Sequence, residues 1–155
     1  MADSLLIRPA RGAEDYPRLV DIWRSSVLAT HDFLADDHRD AIEERLASDY
    51  FPHVRLTVAE RGGVAVGFAG TADGSLEMLF IDADHRGEGV GARLLDHVVS
   101  AEDVTAVDVN EQNEQAYGFY LSRGFTVTGR SPVDAAGLPY PLLHMTLARD
   151  GETRD

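Results

Sequence analysis

Arg86-Gly87-Glu88-Gly89-Val90-Gly91 follows an apolar run, Leu76-Glu77-Met78-Leu79-Phe80-Ile81, and leads into Ala92-Arg93-Leu94-Leu95, an amphipathic stretch of helical period. A helix N-terminus leaves backbone N–H groups without partners, and glycines at the turn let those amides approach an anion closely. Successive amides form a concave nest there, so the backbone of residues 86–92 is suited to a pyrophosphate, with the Arg86 side chain adding charge. Neither G-x-G-x-x-G nor G-x-x-x-x-G-K-[ST] occurs at this turn, which excludes a dinucleotide fingerprint and a P-loop. Taken alone, the three glycines fit a plain turn equally well.

The other reactive side chains narrow the chemistry. Cysteine is absent, which removes disulfides, thiolate metal sites and a cysteine nucleophile together. His31, His38, His53, His85, His97 and His144 stand singly, without H-E-x-x-H or comparable spacing, so no metal is expected. The formal net charge of −13 repels phosphate backbones. It argues against nucleic acid and favours cationic partners such as amines or basic protein segments, although solubility accounts for the acidity just as well.

Arg86 to Gly91 reads as Arg-x-x-Gly-x-Gly, which resembles the acyl-coenzyme A loop of the Gcn5-related N-acetyltransferases, the GNAT superfamily, with its signature Gln/Arg-x-x-Gly-x-Gly/Ala. Further along, Asn113-Glu114-Gln115-Ala116-Tyr117-Gly118-Phe119-Tyr120, with Gly124-Phe125 soon after, is similar to the family's second signature, Asn-x-x-Ala-x-x-x-Tyr followed by Gly-Phe. Longer blocks, among them Trp23 to Leu34, Leu79 to Asp82, Val109 to Ala116 and Thr128 to Ser131, look like the bacterial YjaB group of that family, which is described as acting on peptidyl lysine.

The resemblance implies an enzyme that moves an acetyl group from acetyl-CoA, its co-substrate, directly to an amine without a metal. It places the pyrophosphate on the backbone of Arg86, Gly87, Glu88, Gly89, Val90, Gly91 and Ala92, and polarisation of the thioester carbonyl on backbone N–H groups of Leu79, Phe80 and Ile81. Asn113 is implied as a coenzyme A contact, and its place at a helix start also makes it an N-cap. Tyr120 takes the role of general acid, since a phenol pKa of ~10 lies close to that of a thiol. Tyr117, one helical turn earlier, competes with it, and either ring could be a packed aromatic.

The acceptor must lose a proton before it can attack, and several residues could take it. Alternation puts Glu77 on the strand face of Leu79 and Ile81, where partial burial would raise its pKa, although a solvated strand edge fits as well. His31 and Phe33 lie in the first interhelical loop, where the family shapes its acceptor site. Asn110 and Glu111 are further candidates for that groove, and a water chain could replace any single base. A peptidyl lysine is the implied acceptor. A small amine (polyamine, amino acid or aminoglycoside) is the enzyme alternative, and a non-catalytic acyl-CoA sensor, which would have no use for Tyr120, is the other. All 14 basic residues are arginine, so a lysine acetyltransferase of this sequence could modify itself only at its N-terminal amine.

A chain of 155 residues fits one domain, expected over 1–148 with a polar tail at 149–155. The first five residues lack the basic and apolar regions of a leader, and no apolar run approaches the ~20 residues of a membrane span. A cytoplasmic protein with no membrane partner is expected, and a homodimer is left open. The fold class is α/β (α+β): the GNAT resemblance implies a mixed, mostly antiparallel central sheet of about seven strands flanked by about four helices, in the order β-α-α-β-β-β-α-β-α-β-β. Leu19, Ile22, Trp23 and Val27 mark the inner face of a helix over 14–29, and Ile42 and Leu46 that of a second over 40–50, capped by Asp36 or Asp37 and stopped before Pro52. Gly62-Gly63 and Asp73-Gly74 are hairpin turns joining strands over 56–60, 64–70 and 75–81. A helix over 89–100, a strand over 105–109, a helix over 114–122 and strands over 125–130 and 142–148 complete the order.

Overall fold

Leu19, Ile22, Trp23 and Val27 all lie on the buried side of α1 (Tyr16–Thr30). The computed structural model describes residues 4–30, 33–134 and 137–148. Contacts gather the chain into two compact units, Met1–Val104 and Thr105–Asp155. Among the described residues, seven strands and four α-helices follow one another in the expected order.

In the first unit, β1 (Leu5–Pro9), β2 (Arg55–Arg61), β3 (Val64–Ala72) and β4 (Ser75–Ile81) pair antiparallel in chain order. Both hairpin turns carry positive φ at two successive residues, Gly62 and Gly63, then Asp73 and Gly74, the geometry that matches strand twist in a two-residue turn. The core joins the α1 face to Leu56 and Val58 of β2 and Phe68 of β3, with Phe80 of β4 packed against it. α3 (Val90–Glu102) buries Val90, Leu94, Leu95 and Val98. It meets β3 at Gly67, where an added Cβ would come within 3.0 Å of Val90 Cγ1. Because Gly67 and Phe68 alternate in direction, α1 and α3 cover opposite faces of these strands.

The segment between α1 and β2 differs from expectation. α2 (Asp36–Arg45) begins earlier, with Ala35 at the cap and no side-chain capping bond. Asp36 and Asp37 occupy the first turn instead, where a carboxylate interacts favourably with the helix dipole. The chain does not stop before Pro52 but widens into a π turn, Leu46–Tyr50, then tightens into a 3-10 turn, Phe51–His53. Pro52 is tolerated at the start of that turn because its missing N–H is not needed there. The change of pitch buries both Leu46 and Phe51, whose ring centroid lies 5.1 Å from Tyr16 and 5.7 Å from Phe68.

In the second unit, β5 (Ala106–Asn110), α4 (Glu114–Ser122), β6 (Phe125–Ser131) and β7 (Leu142–Leu147) follow in turn. β7 lies between β5 and β6 and runs antiparallel to both. Val107, Val109, Phe125 and Met145 are buried, and Tyr120 of α4 stacks edge-on against Phe125 at 5.6 Å.

Candidate active site

The glycine-rich turn has the geometry an anion nest requires. Gly87 and Gly89 have φ of 82° and 81°, in the left-handed region that favours glycine, and Gly89 is the N-cap of α3. An added Cβ at either position would meet nothing within 4 Å, so the surface above both is open to a ligand. The nest therefore fits a pyrophosphate by its open face and by the helix start behind it. Glu88, between the two glycines, brings a negative charge, but its carboxylate lies 3.4 Å from Arg61 Nε and 3.1 Å from His85 Nδ1. Arg86, Gly87, Glu88 and Gly89 are exposed, Gly91 and Ala92 half-buried, and Val90 is buried as the first helical residue.

The anchor of this turn has no local mark in the sequence. Asp82 follows β4 directly, is buried, and accepts a bond from the Asp84 amide at 2.9 Å. Arg18 Nη2 donates to its other oxygen at 2.8 Å, while Ser25 Oγ accepts from the Ala83 amide at 2.9 Å. Burial alone would push the Asp82 carboxyl up, but the Asp84 amide and the Arg18 guanidinium outweigh it and hold it below the usual carboxylate range. Two residues of α1 thus fix the entry to the nest. Asp82 stands out only as an acid at the end of an apolar strand, and its partners lie 57 and 64 residues away in sequence.

Leu79, Phe80 and Ile81 end β4 opposite Ala69, Phe68 and Gly67. The Phe80 ring belongs to the core, 5.8 Å from Phe68 and 6.4 Å from Trp23, so any role in polarising a carbonyl falls to the backbone. Glu77 is exposed and accepts a bond from Ser75 Oγ at 3.0 Å. The pairing passes from Gly70–Met78 to Thr71–Leu76, leaving Glu77 as the extra residue of a β-bulge. The expected alternation breaks at this residue, and its exposure goes against the partial burial and with the solvated alternative. Phe33 is half-buried, and His31 lies outside the described residues.

In the second unit Asn113 caps α4, its Oδ1 accepting from the Ala116 amide at 3.1 Å. Tyr120 is buried between Phe119 and Phe125, and burial pushes its hydroxyl well above the ordinary phenol range. Tyr117 is only half-buried, and Asn110 is half-buried at the end of β5. Glu111 forms a two-pronged ion pair with Arg130, at 2.8 and 3.0 Å, which holds its carboxyl low.

The family model described as "Acetyltransferase (GNAT) domain" matches residues 25–148. The chain is 47% identical over 133 residues to the peptidyl-lysine N-acetyltransferases YjaB of Salmonella typhimurium, covering 85% of this chain and 91% of that one, and of Escherichia coli, covering 85% and 90%. The solution structure of apo YjaB from Escherichia coli superposes with a TM-score of 0.84 at 44% identity, covering 92% of this chain and 97% of that one. The PaiA N-acetyltransferase of Thermoplasma acidophilum, solved with coenzyme A, shares the fold at a TM-score of 0.70 and 17% identity, over 94% and 99% of the two chains. An acyl-coenzyme A signature on an open anion nest, a capped tyrosine helix and a family match over most of the chain together identify this protein as a member of the GNAT family, an acetyl-CoA-dependent N-acetyltransferase.

Proposed function

We propose that this protein acetylates lysine side chains of other proteins by direct transfer from acetyl-CoA, with residues 1–148 acting as one catalytic domain in the cytoplasm. The observation that carries the acceptor class is the 47% identity, over 85% of the chain, to two enzymes named for peptidyl lysine. The co-substrate supplies an activated thioester. The chain binds its pyrophosphate on the backbone of residues 86–92, with Asn113 as a further contact, and the amides of residues 79–81 polarise the carbonyl. Tyr120 gives its proton to the departing thiolate. Burial keeps that phenol protonated at neutral pH, and a thiolate leaving into equally dry surroundings would be raised alike, which preserves the match between donor and acceptor. By the family resemblance His31, Phe33 and Asn110 are assigned to the acceptor, and Glu77, exposed at its bulge, is one of several candidates for the base.

Thiol release from acetyl-CoA, measured against a panel of lysine peptides and small amines for the parent and Tyr120→Phe, tests this reading. Peptide-dependent release that falls by roughly 10²–10⁴-fold in the variant, with coenzyme A binding retained, is the expected result. Faster turnover of a polyamine, amino acid or aminoglycoside than of any peptide would move the acceptor to small molecules. Tight binding with no turnover of any amine would make the protein a sensor.

A further inference from the structure

Glu88 stands between Gly87 and Gly89, the two residues whose left-handed backbone shapes the nest, and so brings a carboxylate beside the amides that suit a pyrophosphate. A polyanion approaching a chain of net charge −13 is already repelled, and a carboxylate at the nest itself adds to that repulsion at short range. Two side chains that no signature includes meet this carboxylate. Arg61 Nε lies 3.4 Å from Glu88 Oε1, and His85 Nδ1 lies 3.1 Å from the same oxygen. The Arg61 contact is longer than a hydrogen bond and acts through charge.

Arg61 reaches the turn from another element. It ends β2, where it pairs with Val64 of β3 and Leu5 of β1. A β-bulge in this pairing sets Glu60 opposite Ala65 and leaves Val66 as the extra residue. Ala65 packs in the core with the α1 face, and Glu60 accepts from Arg8 Nε at 2.8 Å. Alternation then turns Arg61 to the other face, that of α3. Its side chain is 25% exposed and its Nε is buried, so the guanidinium is the fixed member of the pair and Glu88, at 39%, the one drawn to it.

We propose that Arg61 is a positioning residue for coenzyme A: with His85 it draws the Glu88 carboxylate off the nest and offsets its charge, so that the pyrophosphate meets bare backbone amides. The proposal rests on the coenzyme A reading of this turn and adds to it a residue from a distant strand. Arg61 acts through Glu88 and needs no contact with the ligand. The charges of the turn favour this role. Asp82 is matched by Arg18 at 2.8 Å, which leaves Asp84 and Glu88 against Arg86 along residues 82–88, a surplus of one carboxylate that Arg61 cancels. An ionised carboxylate only accepts hydrogen bonds, so His85 serves by donating its Nδ1 proton and needs no charge of its own.

A double-mutant cycle on coenzyme A affinity, read by binding titration, tests the proposal. Arg61→Met should weaken binding about 5- to 10-fold, and Glu88→Gln should tighten it about 2- to 5-fold. In the Glu88→Gln background Arg61→Met should change affinity by less than about 2-fold, because no carboxylate is left to offset. Arg61→Lys, which keeps the charge, should retain most of the parent's affinity. The deficit of Arg61→Met should shrink in about 1 M salt, where the screening length is about 3 Å. Dephospho-coenzyme A, which keeps the pyrophosphate but lacks the ribose phosphate, should give the same pattern.

An Arg61→Met loss that persists in the Glu88→Gln background overturns the proposal and makes Arg61 a direct contact of the ligand. A Glu88→Gln protein that binds more weakly than the parent overturns it too, since Glu88 would then tether the loop. Equal affinity in every variant, or a pattern confined to coenzyme A and absent with dephospho-coenzyme A, likewise overturns it. A parent that binds neither ligand overturns the coenzyme A reading itself, and the role of Arg61 with it.

Discussion

Asp82 stands at the point where one carboxylate decides the shape of the coenzyme A loop. It ties the end of β4 to α1 through Arg18 and caps the turn that leads to Arg86. Asp82→Asn keeps the shape but leaves the Arg18 pair without its charge, and Arg18 is 38% exposed, so water offsets part of the loss. The expected cost is about 1–2 kcal/mol of stability by thermal unfolding, with coenzyme A affinity lowered roughly 5- to 10-fold in a binding titration. An affinity loss without a stability loss would mean that Asp82 acts on the ligand rather than on the loop. At this scale sequence and structure part company in an orderly way. The turn at Gly87 and Gly89 and the cap at Asn113 are legible from local residue types, whereas Tyr120 is marked out only by the family signature. Arg18 and Ser25 are not legible, because their role depends on a contact between α1 and the end of β4. Arg61 is hidden for the same reason, since only the pairing of β2 with β3 turns its side chain to the α3 face.

Gly67 illustrates how an element is positioned by something that is missing. A Cβ at this strand position would lie 2.9 Å from Ile81 Cδ1, 3.0 Å from Val90 Cγ1 and 3.2 Å from the Phe80 carbonyl oxygen. Ile81 can rotate away, but Val90 is the first residue of α3, so the helix start must yield together with the amides of the nest. Gly67→Ala is expected to cost about 1–3 kcal/mol in denaturant unfolding and to weaken coenzyme A binding at the same time. A variant that loses stability but binds coenzyme A as the parent does would separate the packing of α3 from the geometry of the nest. In the sequence this glycine is simply part of an apolar strand, since nothing local distinguishes a close approach from a weak strand position. Hairpins and helices with a regular apolar period were legible to within a few residues, as in β4 and α4. The stretch over 46–53 was not, because the π and 3-10 turns there answer to the burial of Leu46 and Phe51 rather than to any local repeat. The bulge at Glu77 broke the alternation for a similar reason, as register is a property of two strands and not of one.

Across the whole molecule, the formal charge of −13 sets the response to pH against a small number of buried pairs. Self-repulsion among excess carboxylates weakens the folded state at neutral pH, and protonation or added salt relieves it. The opposing term lies at Arg8, which donates to both oxygens of Asp15 at 3.0 Å and to Glu60 at 2.8 Å, joining β1, the turn before α1 and β2. The hydrogen bond from Arg8 holds the Asp15 carboxyl below its ordinary range despite burial, and Asp82 is held low as well. A carboxyl depressed in the folded state contributes stability that is fully present above its unfolded pKa of about 3.9 and is lost as pH falls through the lower folded value. The two trends oppose each other, so the thermal midpoint should rise slightly as pH drops from 7 towards about 5, then fall steeply below about pH 4. Arg8→Met should cost about 3–5 kcal/mol at neutral pH, because Asp15 and Glu60 are left buried side by side without their cation. Its acid limb should also be shallower than the parent's, since protonating Asp15 then removes a repulsion instead of an ion pair with Arg8. Thermal unfolding of both proteins from pH 2 to 8 (the range that brackets this carboxyl titration) measures this directly, and parallel curves would show that the acid limb arises elsewhere.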